Sequence, residues 1–206
     1  MNKALTNSNT SEKAKKRVTD IMEACKSVLI DKGYTQFSLR NIAKEAEMHL
    51  SNLQYYFKTR QDLLNELIRY TAKTYSKNYD ELYSCLPQTP YPRFIAVIDY
   101  LMKDIRNPLT RRFFIQFWAL LDASDQHDDK LLNDMYAPQI SQINHHLEVL
   151  NPDLSPGIRQ QRAAIIVSII DGMGLMLHQA DINIEGEEQG IEMEMRRHII
   201  RIAMDP

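Results

Sequence analysis

The sequence predicts an all-α fold of about nine helices, and three observations carry that expectation. No segment sustains the apolar–polar alternation of a half-buried strand, whereas apolar residues recur three and four apart along almost the whole chain. Asn107-Pro108 and Ser155-Pro156 each set a capping side chain directly before a proline, the pattern of a helix start. Turn chemistry, at Gly33 and at Pro87, Pro90 and Pro92, falls between the periodic stretches. At 206 residues the chain has the length for one or two domains and a real core.

Taken in order, residues 1–10 are polar and read as a disordered arm. The first helix is expected from residue 11, with Val18, Ile21, Met22, Cys25, Val28 and Leu29 as its apolar stripe and Gly33 as a left-handed cap. Ser38 is placed to cap a second helix that turns Ile42, Ala43 and Ala46 inward. After a short turn, a third helix at about residues 50–57 brings Leu53 and Phe57 onto one face. Thr59 and Asp62 form a variant of the capping box that opens a fourth helix, running to about residue 82. Five more helices are expected at residues 91–105, 109–123, 128–150, 156–179 and 189–203, with a Gly- and Glu-bearing loop at 184–190.

The net charge of −2 does not by itself suggest a nucleic-acid binder, but its distribution is uneven. Residues 1–60 hold 11 Lys+Arg and 6 Asp+Glu; residues 61–206 hold 14 and 21. A basic first third on an acidic body suits a DNA-binding domain joined to a part that avoids DNA, although chance segregation gives the same pattern. Cys25 and Cys85 are too few for a disulfide framework and read as reduced thiols. The first residues lack the apolar run of a signal peptide, and the apolar stretch at 163–177 is interrupted by Asp171. The expectation is a cytoplasmic protein without a membrane partner.

The chemistry concentrates between residues 38 and 64. With Leu53 and Phe57 turned inward, Ser51, Asn52, Gln54 and Tyr55 point away from the seam. Gln54 has the bidentate amide that matches adenine N6/N7, and Arg40 has the fork that matches guanine O6/N7. Ser51 and Asn52 suit bases or phosphates; Tyr55 and Tyr56 offer hydroxyls to phosphates and ring edges to thymine methyls. Lys58 and Arg60 follow the helix where a chain leaving a groove meets the sugar-phosphate backbone. The same pattern also describes a solvated polar helix face.

Residues 17–64 resemble the N-terminal domain of the TetR family of bacterial repressors. The likeness rests on the apolar first helix, Lys32-Gly33-Tyr34, Ser38-Leu39-Arg40-Asn41-Ile42-Ala43, Ala46, and the run from Leu53-Gln54-Tyr55-Tyr56-Phe57-Lys58 to Leu64. The resemblance implies a helix-turn-helix domain at 11–60 and a helical effector-binding and dimerisation domain at 61–206. It implies DNA contacts at Ser38, Leu39, Arg40, Leu50, Ser51, Asn52, Gln54, Tyr55, Tyr56, Lys58 and Arg60. It further implies a homodimer on palindromic operator DNA, repression, and release by a small apolar or amphipathic ligand. Glu47 stands where the family usually has Gly, His49 where it has a small capping residue, and Leu50 where Lys, Arg or Gln often meets DNA. The operator sequence is therefore not transferable.

In the body, the segment at 163–177 is apolar nearly all round, so it needs both a core and a second partner. One face carries Ala163, Ile166, Ile170, Met173 and Leu177, the other Ile165, Ile169, Gly172 and Met176. Dimer contacts are expected at Ala163, Ile166, Ile170, Met173, Gly174 and Leu177, with Ile191, Met195, Ile199 and Ile202 of the last helix, in a four-helix interface. Which face meets the partner is open. Gly172 and Gly174 are expected to mark a close helix approach. Effector contacts are expected among Phe94, Ile98, Met102, Phe113, Phe117, Trp118, Leu121, Met135, Tyr136 and Met176, since Met and aromatic side chains suit an adaptable cavity; the same stripes read equally as plain core. Asp171 is expected to be paired, with Arg111 or Arg112 as candidates. Adjacent His145 and His146 point about 100° apart on a helix, so no metal site and no cofactor is expected. A regulator without a small-molecule effector stays open, as does an all-α enzyme, although no phosphate loop, nucleophile elbow or HExxH is present.

Overall fold

The structure, a computed structural model, describes residues 3–123, 129–176 and 190–206. The fold is all-α. Its helices are α1 (Lys3–Lys32), α2 (Leu39–Glu45), α3 (Leu50–Tyr56), α4 (Arg60–Cys85), α5 (Pro90–Arg106), α6 (Pro108–Asp122), α7 (Asp129–Leu150), α8 (Pro156–Met176) and α9 (Gly190–Met204), with a 3-10 turn at Tyr34–Gln36. Residues 3–10, expected as a disordered arm, are the first turns of α1. No Gly or Pro interrupts that stretch, so nothing in it stops a helix already formed downstream. The expected end of the eighth helix at 179 and the loop at 184–190 fall largely outside the described residues.

Local chemistry sets the helix ends. Thr59 and Asp62 cap reciprocally: the Thr59 amide donates to Asp62 Oδ2 and the Asp62 amide to Thr59 Oγ1, both at 3.0 Å. Asn107 Oδ1 accepts from the Leu109 amide at 2.9 Å and Ser155 Oγ from the Ile158 amide at 3.4 Å, so both capping residues before proline act as read. Pro138 lies inside α7, where it removes one backbone donor without ending the helix.

The chain divides into two compact units. The first comprises Met1–Lys73 and Arg112–Leu132. Its core is built from Ile21, Met22, Cys25, Val28 and Leu29 of α1, Ile42 of α2, Leu53 of α3, and Leu63, Leu64 and Leu67 of α4, with Phe113 and Phe117 of α6 also buried. Phe113 and Phe117 stack with centroids 5.2 Å apart. α6 also holds the end of α1, since Gln116 Oε1 accepts the Tyr34 amide at 2.9 Å. Gly33 precedes that amide at φ 81 and ψ 168, a mirror-extended conformation that only glycine adopts readily, rather than the left-handed cap expected.

The second unit comprises Thr74–Arg111 and Asn133–Pro206. Its core joins Phe94, Ile98, Leu101 and Ile105 of α5, Ile143 and Leu147 of α7, Ala163, Ile166 and Ile170 of α8, and Ile199 of α9. The helix end of α9 is held by Arg162, whose guanidinium donates to the carbonyls of Ile202 and Pro206 at 3.0 Å each.

Burial corrects the expected dimer face. Ala163, Ile166, Ile170, Met173 and Ile199 are each no more than 3% exposed within the single chain, so they have no surface left for a second one. Gly174 is buried too: a Cβ there would lie 2.8 Å from Ile105 Cγ1, so this glycine marks the close approach of α5 to α8. Gly172 meets nothing within 4 Å and belongs to the outer face, with Ile158 and Ile165 exposed by 43% and 48%. Ile191 is half-buried, and Met195 and Ile202 pack half-buried against the core. Leu177 lies outside the described residues. Periodicity could not choose between two equally apolar faces; the neighbours α5 and α9 do.

Candidate nucleic-acid interface

α2 and α3 are short, and their orientation is fixed from below. Leu53 is fully buried and Phe57 nearly so, which seats α3 on the core of the first unit and turns its other face outward. Ser38 Oγ accepts from the Asn41 amide at 3.3 Å and caps α2 as expected. Arg60 Nε donates to the Phe37 carbonyl at 3.0 Å, tying the segment after α3 to the start of α2.

The turn between the two helices is a Schellman motif. The Met48 amide donates to the Ala43 carbonyl at 2.9 Å and the Glu47 amide to the Lys44 carbonyl at 3.2 Å. The motif needs a left-handed residue at its third corner, and that residue is Glu47, at φ 50. Among the described residues it is the only non-glycine with positive φ. His49 takes the N-cap of α3 without a side-chain capping bond, so that helix start lacks the donor satisfaction a Ser or Asp gives.

Arg40, Ser51, Asn52, Gln54 and Lys58 are exposed, and none of their side chains hydrogen-bonds within the chain among the described residues. Tyr55 is 83% exposed; Tyr56 is half-buried and meets the Tyr55 ring edge-on at 5.3 Å. Leu39 and Leu50 are half-buried, so each offers only part of its surface. Lys44, exposed near the end of α2, adds a cation that the sequence reading did not single out. What this surface presents is a bidentate amide, a guanidinium fork, small hydroxyl and amide groups, and flanking cations, the donor set for base edges and phosphates.

The expected effector residues are divided between the two units. Phe113, Phe117 and Leu121 are buried in the first unit, where Trp118 is 40% exposed. Phe94, Ile98 and Met102 are buried in the core of the second, where Met135 and Tyr136 are half-buried. The Met176 side chain lies outside the described residues. Asp171 hydrogen-bonds Tyr136 rather than Arg111 or Arg112; burial pushes its carboxyl up to about 6, against the opposing effect of that bond. His146 is buried, its Nε2 2.6 Å from Tyr83 Oη, and burial, then His145 and Arg93, hold it down at about 4. His145 lies beside Glu148.

Residues 21–67 match the family described as bacterial regulatory proteins, tetR family. No curated protein matches the chain. Solved structures match most of its length. A candidate transcriptional regulator from Pseudomonas aeruginosa PAO1 is 14% identical with a TM-score of 0.72, over 92% of this chain and 89% of that one. A candidate regulator from Saccharomonospora viridis in complex with choline is 18% identical, with a TM-score of 0.67 over 91% and 94%. The multidrug binding protein EbrR complexed with ethidium is 19% identical, with a TM-score of 0.61 over 90% and 98%. These likenesses establish the shared fold. Within the matched residues, α2 and α3 joined by a tight turn have the arrangement of a helix-turn-helix. The tetR-family likeness is carried by residues 21–67, about a quarter of the chain. Among the described residues no helix is long and apolar enough to cross a membrane.

Proposed function

We propose that this chain is a cytoplasmic repressor that binds palindromic operator DNA as a homodimer and is released by a small molecule. The observation that carries the reading is the outward face of α3: Ser51, Asn52 and Gln54 exposed above the buried Leu53 and Phe57 seam. Gln54 and Arg40 read bases; Ser38, Tyr55, Tyr56, Lys58 and Arg60 position the backbone, and Leu39 and Leu50 offer apolar contact. Residues 11–60 act as the DNA-binding domain and 61–206 as the effector-binding and dimerisation domain.

The dimer reading is supported by the outer face of α8, where Ile158 and Ile165 are exposed and Gly172 leaves room for a second backbone. Exposed Met193 and Met204 of α9 extend the apolar surface available. Two copies of α3 read a palindrome when their separation matches one turn of DNA, roughly 34–36 Å. A ligand releases the operator to the extent that it prefers a dimer with another spacing. The choline and ethidium complexes of the two similar structures support a body that takes small molecules. Alanine at Arg40 tests the assignment: affinity for the cognate site falls by about 1–3 kcal/mol and preference relaxes at one base pair, whereas Lys58→Ala weakens all sequences alike and lowers the salt slope by about one unit. Equal losses for Arg40→Ala on specific and random DNA contradict base reading.

A further inference from the structure

Inside the second unit lies a cluster of acids and phenols that an apolar core does not require. α4 carries Tyr75, Tyr79 and Tyr83 at four-residue spacing, on one helix face. Tyr75 Oη donates to Asp104 Oδ2 at 2.8 Å, and Thr110 Oγ1 lies 3.5 Å from Asp104 Oδ1. Tyr79 is 3% exposed and packs its ring against Tyr100, with centroids 6.2 Å apart and planes inclined at 59°. Its hydroxyl is fully enclosed and has no hydrogen-bond partner among the described residues. Burial first, and then the field of Tyr100, Asp104 and Asp171, pushes that phenol well above the ordinary tyrosine value.

The charges here do not balance. Among the described residues no Arg, Lys or His comes within ion-pair distance of Asp104 or Asp171; Arg106 pairs with Glu192, and Arg196 with Asp99. Asp171 is held by the Tyr136 phenol, a neutral donor. Asp104 and Asp171 are half-buried and meet only neutral donors, and burial disfavours the charged form of Asp171, so a positive charge beside them is favourable. The ring faces of Tyr79 and Tyr100 suit the same charge, since their quadrupoles attract a cation. A hard metal ion demands a shell of six or more oxygens, whereas this cluster is set among Leu, Ile and Met side chains.

We propose that Tyr79, Tyr100, Asp104 and Asp171 form the recognition point for an organic cation, a protonated amine or a quaternary ammonium. This rests on the reading of the body as effector-binding and names the chemical class of effector. The cation lies against the two phenol rings, neutralises the carboxylates, and gives the Tyr79 hydroxyl a polar neighbour.

The test uses the full chain without DNA and a matched pair of probes. Benzyltrimethylammonium is titrated by calorimetry and thermal shift against neopentylbenzene, which has the same shape with carbon in place of the charged nitrogen. Phenylacetate serves as the anionic arm. The expected result is binding of the cation at least about tenfold tighter than the neutral probe, with no binding of the anion. Asp171→Asn and Asp104→Asn each reduce that preference, and Tyr79→Phe, which keeps the ring, reduces it less; unliganded melting curves confirm that each variant folds. Equal affinity for the neutral probe, an unchanged preference in both Asn variants, or no binding of the cation up to millimolar concentration overturns the proposal. Operator release is measured separately. A cation that binds but leaves the operator occupied contradicts ligand-responsive repression and keeps this site. Release only by neutral or anionic compounds does the reverse.

Discussion

Replacing Glu47 separates two costs that one side chain imposes on the DNA-reading element. The first is conformational. The Schellman bonds from Met48 and Glu47 hold this residue at φ 50, where a Cβ crowds the following carbonyl. That strain is on the order of 1–2 kcal/mol, and glycine relieves it while adding about 0.5–1 kcal/mol of unfolded-chain entropy. Glu47→Gly therefore stabilises the protein by roughly 0.5–1 kcal/mol. The second cost is electrostatic: an exposed carboxylate stands between the two helices proposed to meet a polyanion. Glu47→Gln removes the charge and keeps the Cβ. Urea denaturation read by circular dichroism should raise the midpoint for Glu47→Gly alone, at constant m-value. Retention of duplex DNA at low salt should improve for both variants. A Gln variant as stable as the Gly variant would refute the strain argument; a Gly variant that gains stability without gaining DNA affinity would place Glu47 away from the DNA.

Three further expectations follow from packing and titration. Gly174→Ala should destabilise by about 1 kcal/mol, the cost of a Cβ 2.8 Å from Ile105 Cγ1 less the helix-propensity gain, and in an Ile105→Ala background the same change should become neutral or favourable in denaturant unfolding. Gln116→Ala leaves the Tyr34 amide without its acceptor and should cost about 1 kcal/mol, with faster amide exchange at Tyr34 as the local readout. His146 and Asp171 should oppose each other in acid. His146, lowered from 6.5 to about 4, binds its proton only on unfolding, so its contribution to stability is lost as pH falls through that window. Asp171, raised from 3.8 to about 6, binds its proton first in the folded state, so stability is gained as pH falls from about 6. Each amounts to roughly 3 kcal/mol at most. Melting curves between pH 6.5 and 4 should thus slope in opposite directions for His146→Gln and Asp171→Asn once the wild-type curve is subtracted; slopes of one sign contradict the assignment.

Much of the fold was legible because its signals are local. The Thr59–Asp62 box, Asn107-Pro108 and Ser155-Pro156 fix helix starts through bonds that span two or three residues, and Leu53 with Phe57 gives the seam of α3 directly. The start of α1 was misplaced because polar residues without a breaker leave helix and coil nearly balanced. The core-facing side of α8 was hidden because both its faces are apolar; the packing of α5 and α9 against one of them decides it. The Gln116–Tyr34 bond joins residues 82 apart, beyond any local pattern. Asp171 invited an arginine partner and took a tyrosine, since a phenol on α7 lies beside it. The spacing of Tyr75, Tyr79 and Tyr83 was present in the chain, but tyrosines at helical spacing look like core until Asp104 and Asp171 are placed beside them.

Selection of bound sites from a pool of random duplexes, with the chain of 206 residues, asks whether the outer face of α3 reads a palindrome. The affinity of the enriched site is then compared with that of random DNA for the wild type and Gln54→Ala. The expected result is an inverted repeat with half-sites about one helical turn apart, bound at least about a thousandfold more tightly than random DNA, and a marked loss of that ratio in Gln54→Ala. A pool that yields no enriched sequence, or an enriched site whose advantage survives Gln54→Ala and Arg40→Ala together, contradicts it.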